Sequence, residues 1–157
     1  MTKFLAIDPG PSESAVIGMD GDQVTVGLIL PNKAMLDFID GSTGPVVCEM
    51  VASYGMPVGK DVFETVFWIG RFAQLTQTDG RDFDRVFRLD VKMHLCHDSR
   101  AKDANIRQAL LDRFPATGGG KTPQVGTKSQ PGPLFGIKSH LWAALAVAVY
   151  YSDTKCA

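Results

Sequence analysis

The sequence predicts an α/β domain with a mixed five-stranded sheet and helices on both faces, and three features support this. A short apolar segment ends on Asp8, an Asp-Gly turn joins two further strand-like segments, and strand and helix patterns then alternate along the chain. A chain of 157 residues suits a single domain with a sizeable core. We therefore predict one domain over residues 1–157.

Five segments have the composition of strands: residues 4–8, 14–19, 23–30, 45–49 and 85–89. The first is apolar on both faces, which is typical of a strand in the middle of a sheet, and the Asp8-Pro9-Gly10 that follows must turn. Asp20-Gly21-Asp22 separates the second and third segments, and this composition favours a tight hairpin. Three antiparallel strands are therefore expected to begin the fold.

Four segments have helical character: residues 33–40, 60–75, 103–114 and 139–152. The second has apolar residues on and around one face, which predicts a core helix: Val62, Phe63, Val66, Phe67, Ile69 and Phe72. Trp68 is expected to pack in the core rather than to stack on a base. Gly41 is expected to end the first helix and Asp103 to cap the third, whereas the last is apolar nearly all round and should pack deeply against the sheet.

Residues 116–136 are rich in glycine and proline and have almost no apolar content. This composition predicts a mobile loop within the domain, because too little chain follows it to fold alone. Lys121 and Lys128 lie in this loop, which has no acidic residue. Both are candidates for contact with the phosphates of a polyanionic partner.

The composition limits the cellular setting more than it limits the function. The net charge of −1 neither requires nor excludes a polyanionic partner. The three cysteines are an odd number without regular spacing, and no signal peptide precedes them, so we expect a reducing, cytoplasmic environment. The longest apolar run, residues 141–151, is shorter than the roughly 20 residues that a membrane span needs, so no membrane segment is expected.

The candidate chemistry lies in two carboxylates and one histidine. Asp8 and Glu49 each end a predicted buried strand, and His140 lies near the start of the last helix. If the two strands are neighbours, the carboxylates meet and either share a proton or hold a divalent metal; alternatively, Asp8 only opens the turn. Oxygen ligands of this kind suit Mg²⁺ or Mn²⁺ and phosphoryl chemistry with two ions about 4 Å apart.

Other residues are candidates for binding a substrate. A basic patch beside the metal site is formed by Lys92, Arg100, Lys102 and Arg107. The alternative is that these charges form a solvated helix face. Tyr54 follows the Glu49 strand in a loop that could touch a substrate, although a Tyr-Gly turn explains it as well. The HLCHD segment at 94–98 has donors for zinc, but residues so close in sequence seldom point at one tetrahedral centre.

Three motifs carry a resemblance to a known family. FLAIDPGP at 4–11, VVCEM at 46–50 and SHLWAALAVAVYY at 139–151 resemble the RuvC-type Holliday-junction resolvases of the RNase H-like superfamily, particularly those of phages and prophages. The resemblance extends over about residues 3–151. In that family, acids on the first strand, the fourth strand and the last helix bind two metals. This implies metal-binding and catalytic roles for Asp8, Glu49 and His140, while the family's further acid falls on Ala143.

Together, the residues and the resemblance predict a metal-dependent endonuclease that acts on branched DNA. Symmetric resolution of a four-way junction needs two sites, which implies a homodimer, and no small-molecule cofactor is expected. One alternative is a DNA-binding module that lost its activity along with the acid at Ala143. Another is an ATPase of the actin-like branch, which begins with the same Asp-x-Gly turn but needs a second lobe that 157 residues do not accommodate.

Overall fold

The computed structural model describes residues Lys3 to Cys156. In chain order, the strands and helices are β1 (Lys3–Asp8), β2 (Glu13–Asp20), β3 (Gln23–Pro31), α1 (Asn32–Asp40), β4 (Val46–Met50), α2 (Lys60–Thr78), β5 (Phe83–Phe87), α3 (Arg88–Cys96), α4 (Asp103–Leu111) and α5 (Leu141–Lys155). Among these helices, none combines the length and the apolar character needed to cross a membrane.

The strands form one mixed sheet with the order β3-β2-β1-β4-β5. The first three strands are antiparallel, whereas β4 lies parallel to β1 and β5 lies parallel to β4. Gly21, at φ 61°, makes the positive φ turn between β2 and β3. The predicted mixed five-stranded sheet is therefore confirmed, with β1 at its centre.

Alternate residues of β1 contribute to two separate cores. Leu5 and Ile7 pack with buried residues of α1 and α2, whereas Phe4 and Ala6 pack with those of α3, α4 and α5. Both faces of this strand are buried because helices cover both faces of the sheet. The predicted three-layer arrangement is confirmed, as is the deep burial of the last helix, whose residues 144–149 are all buried.

Helix α2 buries a narrower face than the sequence predicts. Trp68, Ile69 and Phe72 are buried, which confirms the packing role expected of the tryptophan. Three of the residues predicted to lie in the core are instead exposed, by 66% for Phe63, 38% for Val66 and 56% for Phe67. The prediction was wrong for them because only one side of this helix reaches the sheet. Their stripe along the helix is apolar but uncovered.

The predicted strand at 85–89 ends two residues early. The last pair between β4 and β5 joins Met50 to Phe87, so beyond it the chain has no strand partner, and Arg88 begins helix α3 instead. Val91 of this helix is buried in the core beneath α5. The sequence did not predict this short helix because RVFRL at 85–89 alternates like a strand.

The ends of α4 also differ from the prediction. The N-cap is Lys102, whose backbone N–H donates to Asn105 Oδ1 at 2.9 Å, and Asp103 is the first helical residue. The helix ends at Leu111, and the predicted last turn, to Phe114, consists of turns whose N–H groups donate to the carbonyl three residues earlier.

The glycine- and proline-rich segment before α5 folds as a series of turns joined by backbone hydrogen bonds. Gly119 N–H donates to the carbonyl of Gln130 at 2.9 Å, and Gly132 N–H to that of Val125 at 2.9 Å. Leu134, at the end of the segment, is fully buried in the core. The predicted mobility of residues 116–136 stays a prediction.

Candidate active site

The register of the parallel strands brings the two predicted carboxylates together. Ile7 of β1 pairs with Cys48 of β4, so the next residues, Asp8 and Glu49, lie side by side at the carboxyl ends of their strands. Side chains alternate along a strand, and both acids fall on the face covered by α5. His140 is the N-cap of α5 and lies above this face.

The two carboxyl groups form a buried, hydrogen-bonded pair. Their side chains are only 13% exposed for Asp8 and 16% for Glu49. Burial, which disfavours charge, raises the pKa of Asp8 to about 6. Burial, the neighbouring negative charge and the hydrogen bond to Asp8 raise the pKa of Glu49 to about 7. In the metal-free protein the two carboxyl groups therefore share a proton near neutral pH, and the titration belongs to the pair.

His140 approaches this pair from the rim of the site. Its Nδ1 lies 3.3 Å from Asp8 Oδ2, and its side chain is 71% exposed. Ser139, at a positive φ of 52°, turns the chain into α5 immediately before it. Ala143 follows one turn further on and lines the same open cleft as Asp8 and His140. The position at which the resemblance implies a further acid therefore has no carboxylate.

A buried polar network fixes the turn that follows Asp8. The N–H of Gly10 donates to Ser14 Oγ at 3.2 Å, the Ser14 hydroxyl donates to Asn32 Oδ1 at 2.6 Å, and Asn32 Nδ2 donates back to the carbonyl of Gly10 at 2.9 Å. A Cβ at Gly10 would lie 2.3 Å from the Glu13 carbonyl oxygen, so only glycine fits there. The sequence motif Pro-Gly-Pro indicated the turn but not this network.

We expect Asn32→Ala to destabilise the fold by about 2 kcal/mol, because the buried Ser14 O–H loses its acceptor and the Gly10 carbonyl loses its side-chain donor. Urea unfolding measures this loss. Asn105→Ala is the matched control, because that side chain is exposed and bonds only to the start of α4. A loss for Asn32→Ala no larger than that of the control would contradict the role of the network.

An open cleft of about 590 Å³ lies beside Asp8. Its lining residues come from β1 and from the N-terminal ends of α3, α4 and α5: Asp8, Arg88, Asp103, Ala104, Ile106, Arg107, Ser139, His140, Trp142 and Ala143. Arg88 was missed by sequence reasoning. It follows β5 directly, and the carboxyl ends of the three parallel strands meet at one edge of the sheet, which is the signal that could have identified it.

The predicted DNA-binding residues are distributed unevenly around this cleft. Arg107 lines it and stacks over Trp142, 4.8 Å from the ring centre. Lys92 lies on α3, one turn beyond Arg88, and does not itself line the cleft. Tyr54 is 67% exposed in the loop after β4. The remaining four do not line the cleft: Arg100, Lys102, Lys121 and Lys128.

The histidines of the HLCHD segment at 94–98 have structural roles. His94 Nε2 lies 2.7 Å from Asp153 Oδ2, which joins α3 to α5. His97 ends α3 in a left-handed conformation with φ 56°. Across residues 3–156, no three His, Cys, Asp or Glu side chains converge closely enough to form a metal cage by themselves.

Asp8 and Glu49 nevertheless fit a divalent cation. Mg²⁺ is commonly held by one or two carboxylates, with water and substrate phosphate filling its other positions, so an open pair beside a cleft is an appropriate donor set. A cation would also replace the shared proton that the buried pair now needs. His140, whose Nδ1 lies 3.3 Å from Asp8 Oδ2, is a further donor beside the pair.

No protein-family model and no curated protein matches the sequence. Among solved structures, the chain is similar to Thermus thermophilus RuvC, with a TM-score of 0.63 and 16% identity over 96% of this chain and 95% of that one. It is also similar to T. thermophilus RuvC in complex with a Holliday junction substrate, with a TM-score of 0.64 and 16% identity over 97% and 93% of the two chains. The protein therefore has the RuvC-like, RNase H-like fold that its motifs predict.

Proposed function

We propose that this protein is a metal-dependent endonuclease that cleaves branched DNA of the Holliday-junction type. The observation that carries the proposal is the hydrogen-bonded pair of Asp8 and Glu49 at the carboxyl ends of adjacent parallel strands, beside an open cleft. The fold shared with RuvC, one structure of which contains a Holliday junction, supports the substrate class. Neither the carboxylate pair nor the cleft requires a small-molecule cofactor.

In this proposal, Asp8 and Glu49 hold Mg²⁺ or Mn²⁺, and His140 either completes the site or accepts a proton from the attacking water. A bound cation stabilises the negative charge that develops on the phosphodiester during hydrolysis. An imidazole suits Mn²⁺ better than the harder Mg²⁺. With Ala143 in place of an acid, we therefore expect faster cleavage with Mn²⁺.

Basic residues on α3, on α4 and in the loops would contact the DNA backbone. Arg107 is the best placed because it lines the cleft, and Lys92 lies one turn beyond Arg88 on α3. We assign peripheral contacts to the residues farther out: Tyr54, Arg100, Lys102, Lys121 and Lys128. The three cysteines are free, which suits the reducing cytoplasm of a bacterium or of a phage-infected host.

A second copy of the chain would cover the exposed stripe of α2 formed by Phe63, Val66 and Phe67. One chain has one Asp8–Glu49 pair, so paired cuts in a four-way junction need two copies. Gly70, one turn beyond the stripe, has open space around it, which would let a partner helix approach closely. Asp61, in the first turn of α2, lines a second cleft with Asp8, so this contact would place the two sites near the dimer axis.

We expect Phe63→Glu and Phe67→Glu to convert a dimer to a monomer in sedimentation velocity, because each would bury a charge at the contact. The monomer should nick one strand without the matching second cut. Phe135→Glu is the control, since Phe135 is 50% exposed but lies beside β3 rather than on α2. A monomeric parent protein, or stripe variants that remain dimeric, would overturn this interface.

A panel of synthetic DNAs tests the proposed activity. The purified protein is incubated with four-way junctions, flaps and linear duplexes, each with Mg²⁺, Mn²⁺ or EDTA. The proposal expects paired cuts near the branch point of the junction, with metal only. Binding without cleavage would indicate the DNA-binding module instead, and nucleotide hydrolysis would indicate the ATPase.

A further inference from the structure

The cleft beside Asp8 contains a guanidinium group that has no role in the proposed metal chemistry. Arg88 is the first residue of α3, and its side chain is 40% exposed in the cleft. Its Nη1 lies 3.9 Å from Glu49 Oε1, and its Nη2 forms an ion pair with Asp103. One guanidinium group thus spans from the buried carboxylate pair to the rim of the cleft.

The ion pair has little value as a structural contact. The carboxylate of Asp103 is 90% exposed, and ion pairs in such a position usually contribute little to stability. The pair does, however, hold the end of a long and otherwise flexible side chain in one direction. Because Asp103 is the first residue of α4, that direction is set by a second helix rather than by α3 alone.

The geometry leaves part of the guanidinium free to bind. Arginine presents five N–H donors in a planar fork that matches the oxygens of a phosphate. The carboxylates of Glu49 and Asp103 engage only part of this fork. The exposed remainder faces the cleft that Asp8, His140 and Ala143 also line. Since Ala143 adds no negative charge there, an anionic phosphate would meet less repulsion beside Arg88.

We propose that Arg88 binds a phosphodiester group of the DNA in this cleft and that Asp103 is the positioning residue that aims it. The inference rests on the proposed function, because it requires DNA in the cleft. It adds a phosphate-binding side chain beside the carboxylate pair. It also explains why the ends of α3 and α4 meet at the site through an exposed ion pair.

Five variants test this role: Arg88→Ala, Arg88→Lys, Asp103→Asn, the double variant of Arg88→Ala with Asp103→Asn, and Arg113→Ala. The last is a matched control, because Arg113 is also paired with an aspartate, Asp153, but lies in a separate pocket beside the β2–β3 turn. Junction affinity is measured by fluorescence anisotropy in EDTA over a range of salt concentrations. Cleavage with Mn²⁺ is separated into kcat and KM.

Arg88→Ala should weaken junction binding roughly tenfold and reduce the salt slope by about one unit, since one phosphate contact is lost. Arg88→Lys should restore the slope but only part of kcat, because an ammonium group lacks the planar fork. Asp103→Asn should raise KM or lower kcat in the parent protein and have no further effect once Arg88 is absent. Arg113→Ala should behave like the parent.

Two results would overturn the inference while leaving the proposed function in place. One is a parent protein that cuts junctions together with an Arg88→Ala variant of unchanged affinity and salt slope. The other is an effect of Asp103→Asn that is as large without Arg88 as with it, which would show that Asp103 acts independently. Failure of the parent protein itself to bind or cut junctions would instead refute the proposed function.

Discussion

Asp8→Asn and Glu49→Gln are each expected to lower junction cleavage by at least about 10³-fold, because each removes a negatively charged ligand from the proposed cation site. Both substitutions nearly preserve side-chain volume, so the fold should survive. Junction binding in EDTA should also stay close to that of the parent, since it depends on basic residues around the cleft. Single-turnover cleavage and anisotropy measure the two quantities separately.

Asp37→Asn provides the control for this pair of variants. Asp37 is an exposed residue of α1, on the opposite face of the sheet from His140, so its replacement should leave cleavage unchanged. If either site variant cut junctions at the parent rate, the assignment of that residue would be wrong. If both lost binding as well as cleavage, the defect would lie in the fold or the DNA contact rather than in the chemistry.

Glu49→Gln is also expected to stabilise the metal-free protein at high pH, by roughly 5 to 10 °C in Tm at pH 8. The folded protein raises the pKa of Glu49 from 4.5 to about 7, mainly by burial. A tenfold step in proton affinity corresponds to about 1.4 kcal/mol, so ionising Glu49 in the fold costs on the order of 3 kcal/mol. The glutamine stays neutral and avoids this cost.

The sign of the pH dependence follows from the direction of these pKa changes. A carboxyl group whose folded pKa is raised adds stability below its unfolded pKa, near 4, and loses it as pH rises through the folded values of about 6 for Asp8 and about 7 for Glu49. The Tm difference between Glu49→Gln and the parent should therefore be small at pH 5 and grow up to pH 8. Mn²⁺ should narrow the gap by stabilising the parent more than Glu49→Gln.

Thermal unfolding in EDTA at pH 5, 6, 7 and 8 measures this difference. Comparing the two proteins at each pH cancels the contributions of other titrating groups. A Tm difference for Glu49→Gln that does not change with pH would contradict the buried, proton-sharing pair.

The sheet and the carboxylate pair could be predicted because local sequence determines them. The apolar run before Asp8 and the shorter one before Glu49 have no polar position to face water, so both strands must lie inside a sheet. Adjacent parallel strands then bring their carboxyl ends together. The hairpin at Gly21 was equally local, because few compositions other than Asp-Gly allow its positive φ.

The remaining features depend on neighbours that the sequence pattern does not show. Phe63 and Phe67 have the periodicity of core residues, but apolar spacing does not distinguish a core face from one left for a partner chain. Arg88 was hidden because its segment alternates like a strand, and the end of pairing at Phe87 is set by the length of β4. The Ser14 and Asn32 network joins residues 18 positions apart and leaves no local signal.

Binding of Mn²⁺ tests most directly the claim that Asp8 and Glu49 form one cation site, and it does so without any cleavage. Electron paramagnetic resonance at pH 7.5 counts the free ion as it is titrated with the parent protein and with the Asp8→Asn and Glu49→Gln variants. The account predicts saturable binding to the parent that is stronger at pH 7.5 than at pH 5.5, and affinity at least tenfold weaker in each variant. Equal binding by the parent and both variants would contradict it.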